Sequence, residues 1–87
     1  MDKQIKFTVE ARDSLHKLHI EAQKTIKRDL KKLSKGELEG KPLTEQLTGL
    51  NSLIVGNYRA IYNLEKETII VLDVGHRKNV YDKVSKQ

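Results

Sequence analysis

Residues 52–75, SLIVGNYRAIYNLEKETIIVLDVG, carry the decisive pattern. Three short apolar runs are separated by two tight breaks, and no run is long enough for a helix. Ser52 to Val55 reads as one strand, Tyr58 to Leu64 as the next and Thr68 to Gly75 as the last. Gly56-Asn57 suits a two-residue hairpin turn, because both residues tolerate positive φ. Glu65, Lys66 and Glu67 supply the second turn.

Upstream, the period changes from two to 3.6. Gln4 to Thr8 alternates as a short strand, with Ile5 and Phe7 on one face. Thr8 is placed to cap a helix and Glu10 to favour its positive end, with Ala11, Leu15 and Leu18 on the inner side. A second helix runs from about Glu21 to Ser34, with Ala22, Ile26, Leu30 and Leu33 as its apolar stripe. Gly36 ends it. The short link between the helices predicts an antiparallel hairpin. Residues 36–50 read as a loop that Leu43, Leu47 and Leu50 pin to the core. The order β-α-α-β-β-β predicts an α+β fold, with a mostly antiparallel sheet and the helical hairpin on one face.

The chain has 87 residues and a net charge of +5, which fits one domain, residues 1–87, with one core. It has no cysteine, so a disulfide framework, a thiolate metal site and a cysteine nucleophile are excluded. Nor does any His or carboxylate spacing suggest a metal site. MDKQIKF lacks the apolar segment of a signal peptide, and no apolar run approaches the ~20 residues of a membrane helix. These features predict a cytoplasmic protein, and the basic balance favours polyanionic partners.

The second hairpin sets the candidate site. It returns the end of the last strand to the start of the one before it. Arg59, His76, Arg77 and Tyr81 should therefore meet at one end of the sheet. A two- or four-residue turn would put Arg59 on the face of His76, and a three- or five-residue turn on that of Arg77. Two guanidiniums together need an anion or a carboxylate between them. One reading is a structural pair of Asp73 with Arg77 or Arg59. The other is a phosphate site, since guanidinium forks match phosphate oxygens. His76 falls in alternation with Ile70, Leu72 and Val74, which makes it either a histidine at the core margin or an acid–base group. Tyr81 either packs on the sheet end or stacks on a base. Lys24, Lys27, Arg28, Lys31, Lys32 and Lys35 lie on the polar side of the second helix, as a solvated face or as a track for phosphates. His16 and His19 are expected at the surface.

Leu50 to Tyr62 (LNSLIVGNYRAIY), followed by Ile70 to Tyr81 (IVLDVGHRKNVY), resembles the RelE/ParE superfamily of toxins, and its RelE branch in particular. The likeness extends through the leading β-α-α and the leucine-bearing loop. It implies a small cytoplasmic toxin encoded beside a RelB-like antitoxin, which enters the ribosomal A site and cuts mRNA without a cofactor or metal. The ribose 2′-hydroxyl would attack the adjacent phosphate, leaving a 2′,3′-cyclic phosphate and a 5′-hydroxyl. Carried onto this chain, the resemblance gives Arg59 to the developing phosphate charge, Arg77 to the leaving oxygen and Tyr81 to the target nucleotide. Apart from the resemblance, the basic balance makes Lys78, Lys31, Lys27 and Lys41 the candidate RNA contacts.

One departure concerns the base. A pair of lysines common in the branch falls here near Ser52 and Ile54. His76, Lys78 or a lysine from the Lys41 loop would have to substitute, or the ribosome would. The same fold also admits a ParE-type gyrase inhibitor, or an RNA-binding member that does not cleave.

Overall fold

The computed structural model describes residues 2–76, the side chain of Gln46 excepted. The elements are β1 (Gln4–Phe7), α1 (Val9–His16), α2 (Ile20–Ser34), β2 (Lys41–Pro42), a 3-10 turn (Glu45–Leu47), β3 (Asn51–Val55), β4 (Tyr58–Glu65) and β5 (Thr68–His76). They form one five-stranded sheet in the order β1-β5-β4-β3-β2. β1 runs parallel to β5, and every other pairing is antiparallel. The α+β fold is as the sequence implies. The addition is β2, two residues hidden in what reads as a loop.

Both helices cover one face. Ala11 and Leu15 of α1 and Ile26 and Leu30 of α2 pack with Leu53, Val55, Ala60, Tyr62, Ile69, Val71 and Val74. The stripe on α2 follows the 3.6 period, and its five basic residues are exposed, as is Lys35 just past its end. Its end is a Schellman closure. The Gly36 N–H donates to Leu33 O at 3.1 Å and that of Glu37 to Lys32 O at 2.9 Å, with Gly36 at φ +81°.

A second, smaller cluster lies on the other face of the sheet. Ile61 is fully buried there under Leu43, Leu47 and Leu50. These leucines thus pin the 43–50 segment as expected, but to a core of its own.

The β4–β5 hairpin closes through Lys66-Glu67, since Glu65 pairs with Thr68. Lys66 has a φ of +54°, a left-handed conformation that a lysine adopts at some cost. Continuous pairing from this turn would set Arg59 opposite Val74. Instead the register shifts between Ile61 and Tyr62, which face Asp73 and Val71, so Leu72 is an extra residue and Arg59 faces Gly75. The expected rule, that a two-residue turn aligns Arg59 with His76, therefore fails at this bulge.

Thr8 clasps the bulge. Its N–H donates to Val71 O at 3.0 Å and its hydroxyl to Leu72 O at 3.2 Å. The same hydroxyl oxygen accepts from the Ala11 N–H at 3.1 Å, capping α1. Thr8→Ala should thus lower stability by about 1–2 kcal/mol, with Thr8→Ser keeping most of it. Urea denaturation of the two variants checks this.

Candidate functional site

The register defines two rows on the sheet face that carries no helix. Lys41, Ser52, Ile61 and Asp73 lie side by side across β2, β3, β4 and β5. Two residues further along, Ile54, Arg59 and Gly75 form the next row. Arg59 is half-buried. One of its terminal nitrogens, Nη1, donates to the Tyr58 carbonyl at 3.0 Å and to that of Gly56 at 3.3 Å. The β3–β4 turn holds the guanidinium in this way through neutral oxygens. Gly56 takes a φ of +59° at the first turn position, while Asn57 does not share the positive φ. Gly75 adds no side chain to Arg59's row, and Ile54 adds an apolar one that is 44% exposed.

Asp73 sits in the adjoining row and is 2% exposed. Its Oδ1 accepts from the Val74 N–H at 2.8 Å. No Asp73–Arg59 ion pair forms. The one ion pair among the described residues is Arg28–Asp29, on α2. That removes one of the two structural pairs considered for Asp73. Arg77, Lys78 and Tyr81 lie outside the described residues, and with them the other pair.

His76 sits across the β4–β5 ladder from Tyr58, their rings edge to face at 6.2 Å and 76°. Tyr58 packs on the main core, so His76 belongs to the helix-covered face. It is exposed there, and Arg59 projects from the opposite face. The alternation of His76 with Ile70 and Leu72 is broken by the bulge, and only Val74 of those three joins the main core. Sheet pairing therefore brings His76 and Arg59 to the same end but to different faces.

The basic residues divide likewise. Lys41 is exposed on the face of Arg59. Lys27 and Lys31 are exposed on α2, behind the sheet, where they rim an open groove of about 380 Å³ with Ile5, Phe7 and Leu30. His16 and His19 are at the surface, and His19 caps α2 by accepting from the Glu21 N–H at 3.3 Å. Among the described residues no group of three His, Asp or Glu side chains could hold a metal ion, and no helix is long and apolar enough to cross a membrane.

Tyr62, the second tyrosine of the YRAIY stretch, was not singled out by the sequence. It is 3% exposed, and its phenol oxygen is hydrogen-bonded to the Gly40 backbone. A Cβ at residue 40 would collide with that hydroxyl, so only glycine fits. Nothing in the pattern of single residues shows this contact, because Gly40 lies just before β2 and Tyr62 on β4, with β3 between those strands.

The architecture itself, a mixed sheet with two helices on one face and an arginine on the other, has clear relatives. In solved structures, the chain superimposes on a toxin–antitoxin complex, RelBE2 of Mycobacterium tuberculosis, with a TM-score of 0.81 and 33% identity, covering 88% of this chain and 100% of that one. The free E. coli toxin RelE, in an arginine-substituted mutant, gives a TM-score of 0.79 over 99% of this chain and 97% of its own, at 19% identity. Among curated proteins, Toxin RelG of Mycobacterium tuberculosis is 38% identical over 82 residues, which is 88% of this chain and 93% of the relative. The profile described as ParE toxin of type II toxin-antitoxin system, parDE, matches residues 5–81. This is the class of small α+β toxins of type II toxin–antitoxin systems. Within it, the chain belongs to the RelE/ParE toxin superfamily.

Burial raises the Tyr62 phenol above its ordinary value of 10.0, and the Gly40 hydrogen bond offsets part of that rise. A phenol that loses its proton more readily in the unfolded chain contributes stability below its unfolded value and loses it as pH climbs toward the folded one. Wild-type protein should therefore lose stability from about pH 10 upward, and Tyr62→Phe should remove part of that loss. Denaturant melts between pH 8 and 11 measure the difference.

Proposed function

We propose that this protein is a ribosome-dependent endoribonuclease that cuts mRNA in the ribosomal A site, held in check by a RelB-like antitoxin. Support for the antitoxin comes from the RelBE2 complex, a toxin–antitoxin complex at 33% identity to this chain. A ribosomal target makes the protein cytoplasmic. The observation that carries the reading is Arg59, a guanidinium anchored by two carbonyl oxygens on the face without helices, with no carboxylate partner among the described residues.

In the proposed reaction the substrate supplies its own nucleophile. The 2′-hydroxyl loses its proton and its oxygen bonds to the neighbouring phosphorus. The bond from phosphorus to the 5′-oxygen breaks, and that oxygen takes up a proton. A 2′,3′-cyclic phosphate and a 5′-hydroxyl result. The phosphorane-like transition state carries more charge than the diester, so a fixed guanidinium binds it more tightly than the ground state. Arg77 at the leaving oxygen and Tyr81 at the nucleotide complete the proposed site. Lys78 would hold the RNA beside them.

β3 offers Ser52 and Ile54 on this face, and neither is a strong base. His76 would move a proton only around the end of the sheet, from the side of Tyr58. General acid–base help is typically worth about 10²–10⁴-fold, so cutting without it is expected to be slow and to lean on Arg59. Lys27 and Lys31, behind the sheet, would contact RNA other than the cleaved strand.

Programmed ribosomes with mapped mRNA ends test this. Arg59→Ala is expected to cut about 10²–10³-fold more slowly, with Arg59→Lys intermediate. Intact message in the presence of wild-type protein would refute the reading. The ParE profile match favours a second reading, inhibition of DNA gyrase. Gyrase-linked DNA breaks with mRNA left whole would establish it instead.

A further inference from the structure

We propose that Lys41 is a second phosphate contact for the substrate RNA and that Tyr62 is the positioning residue that sets it on the Arg59 face. The inference rests on the reading of that face as an RNA-binding surface.

Lys41 stands in register with Ser52, two strands and two residues from Arg59, and it is exposed. It makes no ion pair with any described residue. By strand spacing and rise, its Cα lies roughly 12 Å from that of Arg59. Two long cationic side chains at that separation address neighbouring phosphates of one strand rather than a single phosphate. Such contacts fix register and orientation without reading sequence.

β2 on its own holds Lys41 poorly. It is two residues long, and Pro42 has no N–H to give to the ladder. Downstream, the Leu43 N–H donates to Leu50 O at 2.9 Å. Upstream, the anchor is the Tyr62 phenol on the Gly40 backbone, one residue before Lys41. Tyr62 thus reaches from the core beneath the sheet to fix the edge strand that carries the lysine. Gly40 is the residue that permits the approach.

The test is the salt dependence of binding to a single-stranded RNA oligonucleotide made uncleavable by 2′-O-methyl groups, read by fluorescence anisotropy. Each phosphate contact contributes about 0.7 to the slope of log K against log salt. Lys41→Met is expected to lose about that much, and Lys41→Arg to keep it. Tyr62→Phe should lose part of it, and in the Lys41→Met background should lose nothing more. Ile26→Val, which weakens the helix-side core away from this face, should leave the slope unchanged. That control separates positioning from general stability.

An unchanged slope for Lys41→Met, when Arg59→Met lowers it, overturns the proposal and leaves the reading of Arg59 intact. Loss of slope in Lys41→Met but not in Tyr62→Phe overturns the role of Tyr62. No effect from any of the three shows that the face does not bind RNA, and both inferences fall. The expected slopes with no ribosomal cleavage would sustain this proposal while refuting the endoribonuclease.

Discussion

Leu72 has no partner on β4, and the face that Arg59 takes relative to the turn end of the hairpin follows from that. A ladder without the extra residue would turn Arg59 toward the helices, into space that Val71 and Val74 fill. With it, both valines enter the main core and Arg59 emerges on the opposite side. A bulge strands backbone groups that the ladder would otherwise satisfy. Thr8 takes up the carbonyls of Val71 and Leu72 at the point where β1 becomes α1. Helix initiation, the parallel β1–β5 pairing and the facing of the site are therefore set at one residue.

That arrangement gives the molecule two unlike basic surfaces. Behind the sheet, α2 exposes a broad field of lysines over a shallow groove. In front, Arg59 and Lys41 are few, separated and tied to strands. Flexible lysines on a helix raise local affinity for a polyanion at long range. A guanidinium held by the carbonyls of a turn offers direction, which charge-stabilising chemistry needs. Membership of the RelE/ParE superfamily fits this division of labour between attraction and orientation.

Much of this is legible in the sequence itself. Period changes marked both helices and the three later strands, and Thr8 and Gly36 marked helix ends, because each signal is local. Ile61 was readable as apolar, but nothing local tells that it faces away from the main core. The bulge escaped because the apolar run Ile69 to Leu72 hides which residue is extra when all four are apolar. β2 escaped because two residues, one a proline, have no period. The parallel pairing of β1 and the reach of Tyr62 to Gly40 are long-range facts with no local signature. The sequence therefore brings Arg59 and His76 to one end of the sheet, while the opposite faces they take come from register.

The small cluster around Ile61 has a consequence of its own. One isoleucine and three leucines fasten residues 43–50 to the sheet, apart from the core that holds the helices. Leu43, Leu47 and Leu50 are only half-buried there, so each contributes less than the about 1.5–3 kcal/mol of a fully buried side chain. The segment can open as its own foldon while the helices and β5 stay packed. Amide exchange would then run on two clocks, a fast one for this flap and a slow one for the body. The wall of the Arg59 face would be the part of the protein that breathes.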